Sequence, residues 1–189
     1  SSLLAGHLDT AAVAAHHVAL NLAALSFMMP LGISQAVVTR VGNLLGAGRP
    51  QAAQRAARVG LLAGAGVMGI SAVLFVVFRT ELPRLYTPDP GVVALAASVL
   101  PIAAAFQIFD GTQVVGCGVL RGMGHTRPAA WFNFLGYWVL GLPVGAALAF
   151  RGGLGLAGIW WGLCLGLGAV AALLVGYVHF RGPGSGAAP

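Results

Sequence analysis

Hydrophobic residues form five long runs along the chain, and polar residues are concentrated between these runs. The runs cover about residues 11–39, 59–78, 92–120, 129–150 and 154–180. A helix needs about 20 consecutive, mainly apolar residues to cross the hydrocarbon core of a bilayer. The pattern therefore predicts an all-α polytopic membrane protein with five transmembrane helices, in which residues 1–181 form the bundle. Residues 182–189 are rich in glycine and proline, and we expect a disordered tail there.

Composition supports the membrane class. The chain is 58% hydrophobic and only 7% charged, and its mean hydropathy is +0.89. Soluble domains carry about 25% charged residues, so this chain has too few charged residues to form a water-solvated surface. Its ten basic residues are all arginines, spread singly between the hydrophobic runs, which argues against a nucleic-acid partner. Cys117 and Cys164 lie inside hydrophobic runs without a CxxC motif, and we interpret them as small buried hydrophobic residues.

The charges between the runs predict an orientation. Five crossings place seven arginines and no acid on one side of the membrane. They place three arginines, Asp9, Glu81 and Asp89 on the other side. Cytoplasmic loops of membrane proteins carry an excess of basic residues. We therefore expect a multi-pass protein of the cell membrane, with the arginine-rich side and the C-terminus in the cytoplasm.

One acid, Asp110, lies inside the third run, where it is the only charged residue among positions 92–120. An aspartate at a helix centre costs about 2.5–3.5 kcal/mol on insertion scales. The thirteen Val, Leu, Ile and Phe residues of the run return about 4–8 kcal/mol, so the helix still inserts. Carboxylates inside a membrane usually face a bundle interior or a wet cavity and mark ion or proton pathways. Asp110 is therefore a candidate cation or proton site. The alternative is a structural aspartate that is hydrogen-bonded to another helix.

The neighbours of Asp110 along the helix suit a cation. Gln107 and Gln113 lie three residues on either side and share its helical face, and Phe106 lies one turn back. Two amides could accompany the carboxylate, and the aromatic ring could offer its face to a cation. We interpret these three residues, together with Asn133 and Tyr137 of the fourth run, as possible lining of a polar cavity.

Other motifs carry less functional information. The sequence GAGVMG (64–69) fits the GxGxxG pattern but lies inside a hydrophobic run, so we reject nucleotide binding. Gly60 and Gly64 form a GxxxG pair, which we interpret as close helix packing. The glycines of the fifth run at 158, 162 and 166 receive the same interpretation. The adjacent His16 and His17 diverge by about 100° on a helix, so the two rings are poorly placed to bind one metal. Packing or interfacial placement is the preferred interpretation, and proton handling is the alternative. No HExxH or GxSxG motif is present, and we expect neither an enzyme, nor catalytic residues, nor a bound cofactor.

Several longer stretches resemble one transporter family. These are LAALSFMMPLGISQAVVTRVGNLLGAGRPQAAQRAA (22–57), FQIFDGTQVVGCGVLRGMGHTR (106–127), GYWVLGLPVG (136–145) and GLGLAGIWWGLCLG (153–166). In this order they are similar to the eighth, tenth, eleventh and twelfth helices of the MATE (multidrug and toxin extrusion) family. The resemblance covers nearly the whole chain. It depends most on the pairing of RVGNxLGAG with VLRGxG.

The resemblance implies a twelve-helix transporter of two lobes, of which this chain is a fragment covering helices eight to twelve of the C-terminal lobe. In that family, an acidic residue at the position of Asp110 contributes to a cation or proton site. The N-terminal lobe, most of the seventh helix and the carboxylate frequent there have no counterpart in the chain. Near the start of the eighth helix, AHH (15–17) places His17 where glutamine is common.

Together these observations predict part of an antiporter that expels organic, often cationic, compounds in exchange for H+ or Na+. Its partners would be small organic compounds, the lipid bilayer and the missing N-terminal lobe. One alternative is a flippase of the same superfamily that moves a lipid-linked carrier. Such proteins tend to line their cavity with cationic residues, and none lies in mid-membrane here. Another alternative is a non-transporting membrane scaffold or a gene remnant.

Overall fold

The computed structural model describes residues 10–185, and these residues are helical apart from short connections. The helices are α1 (Thr10–Gly46), α2 (Pro50–Val77), the single turn α3 (Glu81–Arg84), α4 (Pro90–Gly122), α5 (Thr126–Phe134), α6 (Leu142–Ala146) and α7 (Gly155–Arg181). The π-helical stretch Leu135–Gly141 joins α5 to α6, and a second one, Ala147–Arg151, follows α6, so that Thr126–Arg151 is one continuous span. Five spans in the described part are long and apolar enough to cross a membrane, which confirms the predicted all-α class. Residues 1–9 of the predicted bundle lie outside the described residues.

The first two spans are longer than the hydrophobic pattern predicts. The connection expected between Arg40 and Arg58 shrinks to the three residues 47–49, because α1 continues to Gly46 and α2 already begins at Pro50. Hydropathy marks only the part of a helix that lies in hydrocarbon. Arginine, glutamine and alanine are all good helix formers, so both helices extend beyond that zone.

The turn after α1 and the turn after α4 share one geometry. Gly48 and Gly124 have positive φ angles of 68° and 78°. In each turn the residue after the glycine donates its N–H to a carbonyl five residues back, from Arg49 to Leu44 and from His125 to Leu120. Glycine adopts this left-handed conformation without the steric cost of a Cβ. The similar sequences LLGAGRP and LRGMGHTRP therefore end their helices in the same way.

Helix α4 lies at the centre of the bundle and packs against α1, α2 and α7. Small residues allow the close crossings. The hydroxyl of Ser34 in α1 donates to the carbonyl of Val114, and a Cβ at Gly118 would collide with the same serine. On the other side, a Cβ at Gly111 would lie 2.8 Å from the carbonyl oxygen of Gly64 in α2. The position of Asp110, next to Gly111, is thus fixed by backbone-to-backbone packing.

The glycines of α7 pack against the fourth span. A Cβ at Gly158 would lie 2.5 Å from the Ala149 nitrogen, and a Cβ at Gly166 would lie 2.8 Å from the Gly141 Cα. A Cβ at Gly162 would lie closer still to the backbone of Gly145. The prediction that these glycines serve close helix packing is confirmed.

The beginning of the predicted disordered tail forms a turn. Gln54 of α2 donates to the carbonyl of Val178 at 3.1 Å and accepts from the N–H of Gly184 at 3.2 Å. Gln51 donates to the carbonyl of Gly184 at 3.2 Å. Residues 182–185 therefore differ from the disorder expected of them, because two glutamines of α2 satisfy their backbone groups. Residues 186–189 of the predicted tail lie outside the described residues.

Candidate functional site

Asp110 lies deep within α4, where its carboxylate is half-buried. It lies twelve positions before the last residue of the helix, Gly122, which corresponds to about 18 Å along the axis. No arginine pairs with the carboxylate within the described residues. Tyr137 of the fourth span is half-buried and lies within electrostatic range of Asp110. The acid therefore faces the junction between α4 and the fourth span without a fixed counter-charge.

A polar network begins one turn further along the same face of α4. The Gln113 amide nitrogen donates to the Asn133 side-chain oxygen at 2.5 Å. The Asn133 amide nitrogen donates to the carbonyl of Ala129 at 2.7 Å and approaches the Cys117 sulfur at 3.4 Å. The network joins α4 to the fourth span immediately beside Asp110. Four predicted site residues (Asp110, Gln113, Asn133 and Tyr137) therefore lie at one helix junction.

Cys117 belongs to this junction, although we expected a buried hydrophobic role for it. Its sulfur is a weak acceptor for both amides, at 3.8 Å from the Gln113 nitrogen and 3.4 Å from the Asn133 nitrogen. In the sequence, Cys117 follows Gln113 by four residues, so the two lie on the same helical face. This spacing of four residues was the one feature of the sequence that could have indicated that Cys117 lies beside Gln113.

The backbone of the fourth span is widened where Tyr137 lies. Residues 135–141 are π-helical, and the N–H of Leu142 donates to the carbonyl of Tyr137, five residues back. Pro143 follows, and a proline ring inside a regular α-helix clashes with the carbonyl four residues earlier. Wider turns before the proline relieve that clash. Single π turns inside helices frequently occur at functional sites.

Phe106 and Gln107 have different surroundings from the rest of the predicted set. The Phe106 ring packs edge-to-face on Trp160 of α7, with ring centroids 5.9 Å apart. Gln107 is fully buried, and neither its amide nitrogen nor its amide oxygen has a hydrogen-bond partner among the described residues. The helical face that carries Asp110 thus continues, one turn back, into the packed interior of the bundle.

The two adjacent histidines are separated by the fold. His16 is fully buried, and its ring lies edge-on to Trp160 with centroids 5.6 Å apart, whereas His17 is exposed. This arrangement agrees with the packing interpretation. Across residues 10–185, no group of three or more His, Cys, Asp or Glu side chains is placed to hold a metal ion.

These features define a class of protein. Five apolar spans, tight glycine crossings and an interior carboxylate without a counter-charge are typical of polytopic membrane proteins that handle ions. The comparison with known families is more specific. The MatE family model matches residues 1–147, and the chain therefore belongs to the MatE family of transporters.

Curated relatives include bacterial multidrug resistance proteins. The multidrug resistance protein NorM of Burkholderia vietnamiensis is 44% identical over 194 residues, a match that covers 100% of this chain and 42% of the relative. The multidrug resistance protein PmpM of Pseudomonas aeruginosa is 43% identical over 177 residues, which covers 92% of this chain and 37% of the relative. The chain thus spans about two-fifths of the length of the curated relatives it matches.

Solved structures agree with the fold. The eukaryotic MATE transporter AtDTX14 superposes with a TM-score of 0.91 at 26% identity, and the match covers 97% of this chain and 41% of that structure. An outward-facing MATE family transporter of the MOP superfamily superposes with a TM-score of 0.86 at 16% identity, covering 95% and 40%. The prediction of MATE family membership made from the sequence is confirmed.

Proposed function

We propose that this chain supplies helices eight to twelve of the C-terminal lobe of a multidrug antiporter. The transporter would export organic, often cationic, compounds in exchange for H+ or Na+. The names of its relatives support the substrate class. The share of those relatives that the chain covers, about two-fifths, supports the existence of a further lobe that completes the cleft.

The observation that carries the proposal is the environment of Asp110. The carboxylate lies about 18 Å inside the end of α4, without an arginine partner in the described region. A lone interior charge is costly to maintain in apolar surroundings. A bound proton or Na+ removes that cost. In this proposal, the Tyr137 hydroxyl and the polar groups of Gln113 and Asn133, which share the helix junction, would complete a hydrogen-bonding shell around the occupied carboxyl.

Exchange follows from coupled equilibria. When Asp110 is unoccupied and negatively charged, it attracts a cationic compound into the cleft. When a coupling cation neutralises it, that attraction is lost and the compound is released. Each ligand shifts the population of two facings of the lobes only by its difference in affinity between them. The coupling cation and the exported compound are therefore expected to exclude one another.

The test replaces the acid in the complete transporter that carries these helices. Asp110→Asn removes the charge with almost no change of volume, and we expect coupled efflux to be abolished while membrane insertion is unchanged. Efflux of a fluorescent cationic dye from cells that lack their own exporters provides the measurement. Asp110→Glu keeps the carboxylate and should retain part of the activity.

Glu81→Gln is the matched control. It is also an acid-to-amide change, but Glu81 is exposed in α3 outside the spans and should leave efflux unchanged. Normal dye export and drug resistance in the Asp110→Asn variant would contradict the proposal. An equal loss of efflux in both variants would indicate that less transporter is present in the membrane, rather than that the Asp110 site is damaged.

A further inference from the structure

A second feature of the bundle, remote from Asp110, is a groove between α1 and α2 at their arginine-rich ends. The two helices are antiparallel and are joined by the turn at residues 47–49, and the groove encloses about 620 Å³. Its wall contains three arginines and nine apolar residues. The lining is Ile33, Ala36, Val37, Arg40, Leu44, Arg49, Ala52, Arg55, Ala56, Val59, Gly60 and Ala63.

The charged part of the lining has one sign. Arg40, Arg49 and Arg55 are exposed, and no acidic residue lines the groove. Within residues 10–185, none of these three side chains is placed in an ion pair. Guanidinium groups donate paired hydrogen bonds that match the geometry of phosphate oxygens. Three of them lining one groove therefore favour a phosphate-bearing anion as its ligand.

The rest of the lining is apolar and continues towards the membrane interior. Along α2 it extends from Arg49 to Ala63, which corresponds to about 20 Å of helix axis. That length is similar to one leaflet of a bilayer, about 20 Å when the headgroup region is included. A ligand that fills the groove must therefore be anionic at one end and hydrocarbon along the remainder.

We propose that the groove binds an anionic phospholipid, with its phosphate between Arg40, Arg49 and Arg55 and an acyl chain along the apolar wall. Basic pockets between transmembrane helices on the cytoplasmic side suit such headgroups. A protein segment across the groove would leave three guanidinium groups without partners unless it supplied acids, whereas the phospholipid satisfies both parts of the lining. The inference is independent of the coupling ion at Asp110.

The test measures lipid retained by the purified 189-residue chain. The chain is incubated in mixed micelles with phosphatidylglycerol or with phosphatidylcholine, and native mass spectrometry counts the bound lipid. We expect phosphatidylglycerol to be retained preferentially. The variant Arg40→Gln/Arg49→Gln/Arg55→Gln should lower that retention about a hundredfold, since each of the three arginines near an anionic headgroup contributes about fivefold and the factors multiply.

The control removes the same charge from the same side of the bundle. Arg58, Arg121 and Arg127 are exposed at that side but do not line the groove, so Arg58→Gln/Arg121→Gln/Arg127→Gln should keep most of the binding. Helicity and monodispersity of both triple variants establish that they fold. The closest single comparison is Arg55→Gln against Arg58→Gln, one turn apart on α2.

Three outcomes would overturn the proposal. The first is equal loss in the two triple variants, which would indicate diffuse attraction to a basic surface. The second is equal retention of phosphatidylcholine and phosphatidylglycerol. The third concerns another occupant: with native cysteines replaced by alanine, Ala56→Cys should be shielded from a maleimide more strongly in anionic than in neutral vesicles. Equal shielding in the two kinds of vesicle would show that the occupant of the groove is not selected by an anionic headgroup.

Discussion

At the scale of single residues, the junction between α4 and the fourth span depends on polar groups that satisfy one another in apolar surroundings. Gln113 and Asn133 form a side-chain hydrogen bond, and Asn133 also donates to the Ala129 carbonyl of its own helix. The second bond fixes the orientation of the asparagine, so its oxygen is presented to the glutamine. Asp110 lies three residues from Gln113 and is held by the same helix. The network thus fixes how the fourth span lies against this part of α4.

A double-mutant cycle can measure this interaction. Asn133→Leu and Gln113→Leu each break the same hydrogen bond, so the double variant should be less destabilised than the sum of the two single variants. Hydrogen bonds between transmembrane helices contribute on average about 0.6 kcal/mol and at most about 1.7 kcal/mol. We expect a coupling energy in that range from unfolding in mixed detergent micelles.

The control pair is Gln35→Leu with Asn133→Leu. Gln35 is exposed on α1, and no side-chain hydrogen bond is identified for it in the described part. Its effect should add to that of Asn133→Leu within about 0.5 kcal/mol, as expected for independent sites. Additive behaviour of the Gln113 pair as well would show that the hydrogen bond contributes nothing measurable to stability.

At the scale of helices, glycine decides how closely α7 approaches the fourth span. A methyl group at residue 162 would lie 2.7 Å from the Gly141 carbonyl oxygen and closer still to the backbone of Gly145. Because both contacts are with backbone, no side-chain rotation can relieve them. The two spans would have to separate, and the dispersion contacts along their interface would weaken.

We therefore expect Gly162→Ala to destabilise the bundle by about 1–3 kcal/mol, the usual cost of overpacking. Gly176→Ala in the same helix is the matched control, because a Cβ at residue 176 meets nothing within 4 Å. That change should leave stability unchanged or raise it by about 0.5–1 kcal/mol through the better helix propensity of alanine. Thermal unfolding of the two variants in one detergent checks the difference. Similar effects at both positions would contradict the packing argument.

The helices show how much of the fold can be predicted from the sequence, and why the rest cannot. Hydropathy identifies all five spans because transfer to hydrocarbon dominates their energetics. The ends of α1 and α2 are missed because helix propensity, rather than hydropathy, extends them to the turn at Gly48. The π-helical turns before Pro143 were not predicted either. A proline can be accommodated by a kink, a break or a wider turn, and the packing of neighbours selects among these.

The candidate site shows a similar division. Helical periodicity places Gln113 and Asp110 on one face of α4, and the structure brings Asn133 and Tyr137 to that face. Periodicity cannot show that Phe106, one turn away, meets Trp160, because that contact joins segments 54 positions apart in the chain. Long-range neighbours of this kind are set by the crossing of whole helices.

At the scale of the whole molecule, charge is distributed unequally between the two ends of the bundle. The end formed by the turns after α1 and α4 and by the C-terminus of α7 carries seven arginines and no acid. The same end contains the groove between α1 and α2 and the turn that Gln51 and Gln54 hold against α2. The proposed lipid site and the proposed cytoplasmic orientation therefore depend on one asymmetry.

That orientation gives the last prediction. With Cys117 and Cys164 replaced by alanine, a single new cysteine at Ala47 or at Leu85 reports which side of the membrane each end faces. Both positions are exposed in the structure, at opposite ends of α2. The basic end should remain inside, so a membrane-impermeant maleimide should label Leu85→Cys in intact cells and Ala47→Cys only after permeabilisation. A denatured sample of each variant gives the full extent of labelling. The reverse pattern would place the arginine-rich end outside, where cytoplasmic-leaflet lipid cannot reach the groove.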